Sequence, residues 1–323
     1  MKNLKTNWHK PVIADRQKRL PAMRFWAEEK GAVQVVAAVG LTVILGFTAL
    51  VTDVGLLQVN RASLVNSADA AALAGVQELP GNVAKARQEA EKYLSQNNPG
   101  DDFEISVSEN NYRIDVAVNK EVNLVFGRFL GIDSSSVGAS SAAAIGSVVG
   151  YQGILPFGIQ DQEIVFYQQY QLKTGDGAGT TGTFGALALG GTGASVFREN
   201  TKHGYDQMVR VGDVLPIESG NMSGPVKQGL SYRVDQCTRG LACTAANPAP
   251  GCPKLLIIPV YEPYQWDKNK LKNVKVVGFA AFYVEQVPAN GEIVGRFIRM
   301  VLPGEMGAGV VNNYGTLAAR LIK

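Results

Sequence analysis

The chain has 323 residues, enough for two ordinary domains and well above the size at which a core becomes marginal. It is 46% hydrophobic and 18% charged, with 36 glycines and 14 prolines, which excludes a disordered tail, a coiled coil and a collagen-like rod. The net charge is +3, yet eight of the 31 basic residues fall in the first thirty positions against three acids, Asp15, Glu28 and Glu29, and the remainder is slightly acidic. Such a chain is not patterned for nucleic acid, whereas a basic amino-terminal run is patterned to control membrane topology.

Residues 1–30 read as a short basic tail carrying Lys2, Lys5, Lys10, Arg16, Lys18, Arg19, Arg24 and Lys30. Residues 31–52 follow without one Asp, Glu, Lys, Arg or His; Gln34 is the polar exception among apolar residues, three glycines and three threonines. Twenty-two helical residues extend ~33 Å, enough to cross a hydrocarbon core of ~30 Å. A cleaved secretory signal has a shorter apolar region closely followed by a small-residue site. Here the nearest conspicuous A-x-A is Ala72-Leu73-Ala74, far downstream. The expectation is a single-pass signal anchor in the cell membrane, its amino terminus cytoplasmic and everything after Asp53 extracytoplasmic.

No proline interrupts the chain between this span and Pro80-Gly81, so one helix of about fifty residues is expected, half embedded and half projecting. Its outer half is rich in small residues, Ala68, Ala70, Ala71, Ala72, Ala74 and Gly75, which let another helix or a sheet approach closely. Arg61 and Asp69 are its polar interruptions. Gln34 and the small-residue face are candidate helix–helix contacts, because small and hydrogen-bonding residues drive association in lipid.

The run Glu29-Lys-Gly31-Ala-Val, the apolar span, Asp53-Val-Gly55, Arg61, Leu64, Asn66 and Ala68-Asp69-Ala-Ala-Ala-Leu73-Ala-Gly75 resembles the amino-terminal segment of the Tad/Flp pilus-assembly TadE/TadG-like family. The resemblance covers positions 29 to 76. It implies a membrane-anchored minor pilin or assembly component of a tight-adherence pilus apparatus in a bacterium, partnered by other pilus-assembly or minor-pilin proteins through the helix. Type IV-like prepilins carry a glutamate at the fifth position after a processing glycine; counted from Gly31 that position is Val36, which favours an uncleaved, TadG-like component. Asp133-Ser-Ser135-Ser-Val137 starts like the D-x-S-x-S metal site of a von Willebrand-type A domain but has Val137 where the second serine belongs. No such domain is expected.

In residues 53–150 a second helix is expected over Val83 to Gln96, with Arg87 and Glu91 facing outward. A hairpin follows from the alternation in 103–107 and 112–118, then a short helix from Val122 to Leu130 and a strand from Val137 to Val149. Together they make a pilin-like helix-on-sheet module with a boundary near Gly150. Residues 151–323 turn to short β-rich runs punctuated by Gly and Pro: 163–172, 184–189, 208–211, 255–261, 274–285 and 292–302. Their spacing suggests a sandwich or a barrel. The fold class is therefore α+β, an anchor helix running into a helix-on-sheet module and then a β-rich domain.

Chemistry is sparse. The glycine-rich 175–193 stretch lacks the Gly-Lys-Ser/Thr of a phosphate loop. His9 and His203 are the only histidines; His203, Asp206 and Ser223 could be drawn as a triad, but Ser223 is not in a G-x-S-x-G elbow. No catalytic residue, cofactor or metal is assigned. Cys237, Cys243 and Cys252 lie within a sixteen-residue loop without paired C-x-x-C spacing or a nearby histidine. In an oxidising exterior Cys237 is expected to pair with Cys243 or Cys252, leaving a spare thiol. The residues expected to serve assembly are Gln34, Asp53, Gly55, Arg61, Asn66, Asp69 and Ala71. The competing expectation is an anchored cell-surface binding protein or enzyme, with its activity in residues 151–323.

Overall fold

The computed structural model describes residues 29–322 except 98–99, 109, 176–182, 239–242, 250, 288–291, 311 and 313. The basic tail up to residue 28, with His9, and residues 176–182 in the first part of the glycine-rich stretch lie outside the described residues.

The first helix, α1, is continuous from Glu29 to Val76. Its threonines do not disturb it because Thr42, Thr48 and Thr52 each donate the hydroxyl to the carbonyl four residues earlier, at 2.8–2.9 Å, which hides the polar group within the helix. It unwinds through tight turns, with the Glu78 and Leu79 amides bonded to the Gly75 and Val76 carbonyls, before Pro80 stops the run. Asn82 then opens the second helix, α2 (Val83–Asn97), by accepting the Lys85 amide at 2.9 Å. Ala86, Ala90 and Leu94 recur every four residues on its buried face, while Arg87 and Glu91 are exposed as the spacing predicts.

The two helices lie on a sheet that begins with the expected hairpin, β1 (Asp102–Val107) and β2 (Arg113–Asn123). Ile114, Val116 and Val118 alternate toward α1 and meet Leu64, Ala68 and Ala72 in one core. The helix expected over 122–130 shrinks to a single 3-10 turn, Gly127–Leu130. Val122 instead extends the period-two pattern of β2 and pairs with Ser135. The next strand, β3 (Ser134–Gln152), is longer at both ends than expected and pairs antiparallel with β2 throughout the latter's length.

The expected boundary at 150 falls inside β3. Its end pairs with two short strands, β7 (Met208–Arg210) and β13 (Glu305–Met306), which Arg210 and Glu305 tie together through a two-pronged ion pair at 2.7–2.8 Å. The last strand, β14 (Thr316–Ile322), returns to pair antiparallel with β3 from Ala142 to Ser147, and β12 (Met300–Val301) lies parallel beside it. Leu317 joins the helix core. Residues 151–323 are thus not one successive block: the chain leaves the first sheet, builds a second unit, and comes back to finish the first.

That second unit contains β4 (Phe157–Gln160), β5 (Gln169–Gly175), β6 (Thr183–Ala186), β9 (Leu255–Asp267), β10 (Lys270–Gln286) and β11 (Glu292–Ile298). Hydrogen-bonded neighbours run β11, β5, β6, β4, β9, β10, and β10 pairs again with β11. Six strands therefore close on themselves, and β8 (Val214–Pro216) is added outside on β10. Closure removes the exposed edges that an open sheet would carry. Alternation sorts β9: Leu256, Ile258 and Val260 share a core with Phe157, Phe184, Phe282 and Phe297, while Ile257 and Tyr261 join a second core with Val148 and Ala318 of the first sheet. The aromatic rings pack edge-on, Phe184 against Phe282 at 5.5 Å and Phe282 against Phe297 at 4.9 Å. Two helices that the strand pattern did not predict, α3 (Ala194–His203) and α4 (Ser223–Asp235), add Phe197, Val226 and Leu230 to this core. Of the expected strands, 163–172 starts only at Gln169.

Candidate functional site

Along α1 the environment changes abruptly. From Gly31 to Thr52 every side chain is exposed except Ala49, which is partly shielded; the apolar stretch has a mean hydropathy of 2.3 with none of its length buried. Val36, Ile44, Phe47 and Val51 are each more than 60% exposed. An exposed apolar surface of this extent marks a membrane or protein contact, and the helix is long and apolar enough to cross a membrane.

Asp53 is the first charged residue beyond this run and is buried. Its carboxylate accepts the backbone amides of Val125 at 2.8 Å, Phe126 at 3.0 and 3.2 Å, and Gly127 at 2.7 Å. These amides open the 3-10 turn between β2 and β3, where they would otherwise lack partners. Burial pushes the carboxyl pKa up, but the three amides and the neighbouring Arg128 charge outweigh it and bring it below the ordinary value. Asp53, expected to serve assembly, thus also forms an internal staple between the end of the uncharged run of α1 and a loop far away in sequence. The exchange from apolar residues to Asp-x-Gly marked the position; nothing local marked its partner.

The other expected residues separate into two sets. Gln34, Gly55, Arg61 and Asn66 are exposed, and Asp69 is half-buried. Ala71, in contrast, is completely buried with Ala68, Ala72 and Val76, and so belongs to this chain's own core. Gly75 shows how tight that packing is: a Cβ there would stand 2.6 Å from Ile114 Cδ1 and 2.8 Å from the Ala86 carbonyl oxygen. The small-residue face is filled by α2 and the sheet. What remains available is the opposite face, where Gly55, Val59, Ala62 and Asn66 recur at helical spacing and are exposed.

In the second unit the cysteine sulfurs converge within 4.8 Å of one another. Cys243 and Cys252 are buried and their sulfurs lie 2.7 Å apart, whereas Cys237 is half-buried and 3.9 Å from Cys252. The nearest pair is therefore Cys243 with Cys252, not a pair that includes Cys237. Burial, with Cys243 beside it, pushes the Cys252 thiol up to about 12. Arg233, which the sequence reading overlooked, organises this region: its guanidinium donates to the carbonyls of Pro253 at 2.8 Å, Lys202 at 3.1 Å and Leu255 at 3.2 Å. Burial lowers its pKa, and the three carbonyls are what compensate the charge. His203 packs edge-on against Tyr232 at 5.5 Å and lies 3.8 Å from Glu199, while Ser223 begins α4 with its amide bonded to Asn221. Glu218, also buried, accepts the amides of Gly193 at 2.9 Å and Ser219 at 3.1 Å, holding the loop that enters α3.

Residues 31–78 match the family model described as "Putative Flp pilus-assembly TadE/G-like" (Tad). The match starts at the first residue of the unpartnered run and ends beyond α1, so it spans both the apolar half and the packed half of that helix. No curated protein and no solved structure matches the chain.

Proposed function

Proceeding from the Tad match over residues 31–78, we propose that this protein is a membrane-anchored, non-enzymatic minor pilin or assembly component of a Tad/Flp-type pilus or related surface-secretion apparatus. Its amino terminus is cytoplasmic and its bulk extracytoplasmic, in keeping with the basic tail. The observation that carries this reading is the division of one matched helix into an apolar half that this chain leaves exposed and a half that forms the spine of a folded unit. Partner helices dock on the exposed stripe of Gly55, Val59, Ala62 and Asn66, continuous with the span and with Gln34 within it; Asp69 borders the stripe, and Arg61 projects from another side of the helix. A photo-crosslinking residue at Val59 or Asn66 is expected to capture other membrane proteins in whole membranes, and one at the buried Ala71 only this chain. Membrane-inserted protein that gives no intermolecular adduct from Val59 or Asn66 would contradict the assembly role.

In the same reading Cys243 and Cys252 form a disulfide, with an external disulfide taking up their two electrons and two protons, and Cys237 keeps its thiol. Three sulfurs around one zinc ion would stand roughly 3.8 Å apart for Zn–S bonds of ~2.3 Å, which the 2.7 Å separation of Cys243 and Cys252 does not suit. Intact mass after non-reducing alkylation should show one modified cysteine, Cys237. Three modified cysteines, or a metal adduct in the native mass, would remove the disulfide.

A further inference from the structure

We infer that the loop between β2 and β3, residues 124–133, is a second membrane contact, lying on the bilayer surface beside the point where α1 emerges. The inference rests on the reading of 31–52 as a membrane span. Three independent observations place the loop there.

The first is its tether. Asp53 stands one residue past the uncharged run, and its carboxylate holds the Val125, Phe126 and Gly127 amides within 2.7–3.2 Å. Helical side chains lean toward the amino terminus of their helix, so the carboxylate, and the loop with it, points back toward the bilayer. The second is Ala49, one turn earlier on the same face, the one residue of 31–52 with reduced exposure. Its reduced exposure lies on the face that carries the Asp53 tether.

The third is the chemistry of the loop. Phe129 and Leu130 are 81% and 83% exposed, more than any large hydrophobic residue of the span itself. Val125, Phe126 and Ile132 are exposed beside them. The turn is closed by Gly131 in the left-handed conformation, at φ 81°, and Arg128 donates its Nε to the Leu124 carbonyl at 3.0 Å while its side chain remains at the surface. Two bulky apolar tips beside an exposed arginine suit the headgroup–acyl boundary, where apolar groups bury ~5–10 Å deep and cations meet lipid phosphates. The occupant is therefore the lipid surface. A consequence for function follows: two contacts, span and loop, fix the tilt and rotation of the outer units, which a single helix alone leaves free.

The test uses the full chain in phosphatidylcholine–phosphatidylglycerol vesicles, with Trp8, Trp26 and Trp266 replaced by phenylalanine and one tryptophan introduced by Phe129→Trp or, separately, Leu130→Trp. Both positions are exposed, so neither substitution threatens the fold. The expected result is a blue-shifted emission that is quenched by lipids brominated on the upper acyl carbons and is protected from iodide in the bulk. Phe47→Trp in the same background reports the span. Quenching of the Phe47→Trp probe by brominated lipid while both loop probes emit as in water and yield to iodide would overturn the loop contact and leave the anchor standing. Loss of lipid quenching at position 47 as well would overturn both. A blue-shifted loop probe insensitive to brominated lipid would mean that protein covers the loop, which also contradicts the proposal.

Discussion

The two halves of α1 share one backbone helix, the first without a charge and the second with Asp53, Arg61 and Asp69, and they solve different problems. Residues 31–52 are bulky and apolar on every side, with Val, Leu, Ile and Phe exposed all round. Residues 53–76 substitute Ala and Gly on one side, and there the chain's own α2 and sheet approach to contact distance. Side-chain size separates an apolar surface left exposed by this chain from one that meets a fixed protein neighbour. Asp53 marks the seam.

A charge in the first half breaks the comparison most severely. Ile44→Arg is expected to cost about 2.5–3.5 kcal/mol of insertion free energy and to move the protein out of carbonate-washed membranes, whereas Asn66→Arg on the exposed face of the second half leaves its fractionation unchanged. Equal behaviour of the two variants would erase the distinction between the halves.

Within the second half, adding one methyl group separates the packed face from the exposed face by sign. Gly75→Ala forces a Cβ into Ile114 and the Ala86 carbonyl and should lower stability by about 1–3 kcal/mol. Gly55→Ala meets nothing within 4 Å and should gain about 0.5–1 kcal/mol from helix propensity. Denaturant unfolding of the detergent-solubilised protein measures both; Ala71→Phe is expected to behave like Gly75→Ala, as a fault in folding before it is a fault in assembly.

The smallest effect sharpens the seam itself. Because the Asp53 carboxyl titrates below its ordinary value in the folded protein, its contribution is complete above the unfolded pKa of about 3.9 and is lost as pH falls through the lower, folded value. Protection of the Val125, Phe126 and Gly127 amides from hydrogen exchange should therefore hold to about pH 4 and collapse below it. In Asp53→Asn, which cannot ionise, it should be weaker and independent of pH over that range.

What could be read in the sequence was local or periodic. The uncharged run, the unbroken helix to Pro80, the inward faces of α2 and the β1–β2 hairpin all follow from spacings of two or about 3.6 residues. What could not be read was pairing at a distance. Val125 and Asp53 are 72 residues apart, and no neighbour of Asp53 advertises that its carboxylate caps a loop. The return of β14 to β3 is equally non-local, although Leu317, Ala319 and Leu321 alternate as a half-buried strand should. α3 and α4 were hidden for another reason: they are 10 and 13 residues long, and Gly224 and Gly229 weaken the helical signal of α4. The cysteines showed that a staple was available but not which pair the fold brings nearest.

The central claim is that one uncut helix is both membrane anchor and spine of the outer units. The most direct test is the intact mass and amino-terminal sequence of the protein recovered from carbonate-washed membranes, from the medium and from sheared surface material. The account predicts a chain retaining residues 31–52, confined to the washed membranes. A product beginning just after Gly31 in sheared material would make the protein a processed filament subunit, and a product lacking the span, recovered as the principal form in the medium, would contradict the anchor itself.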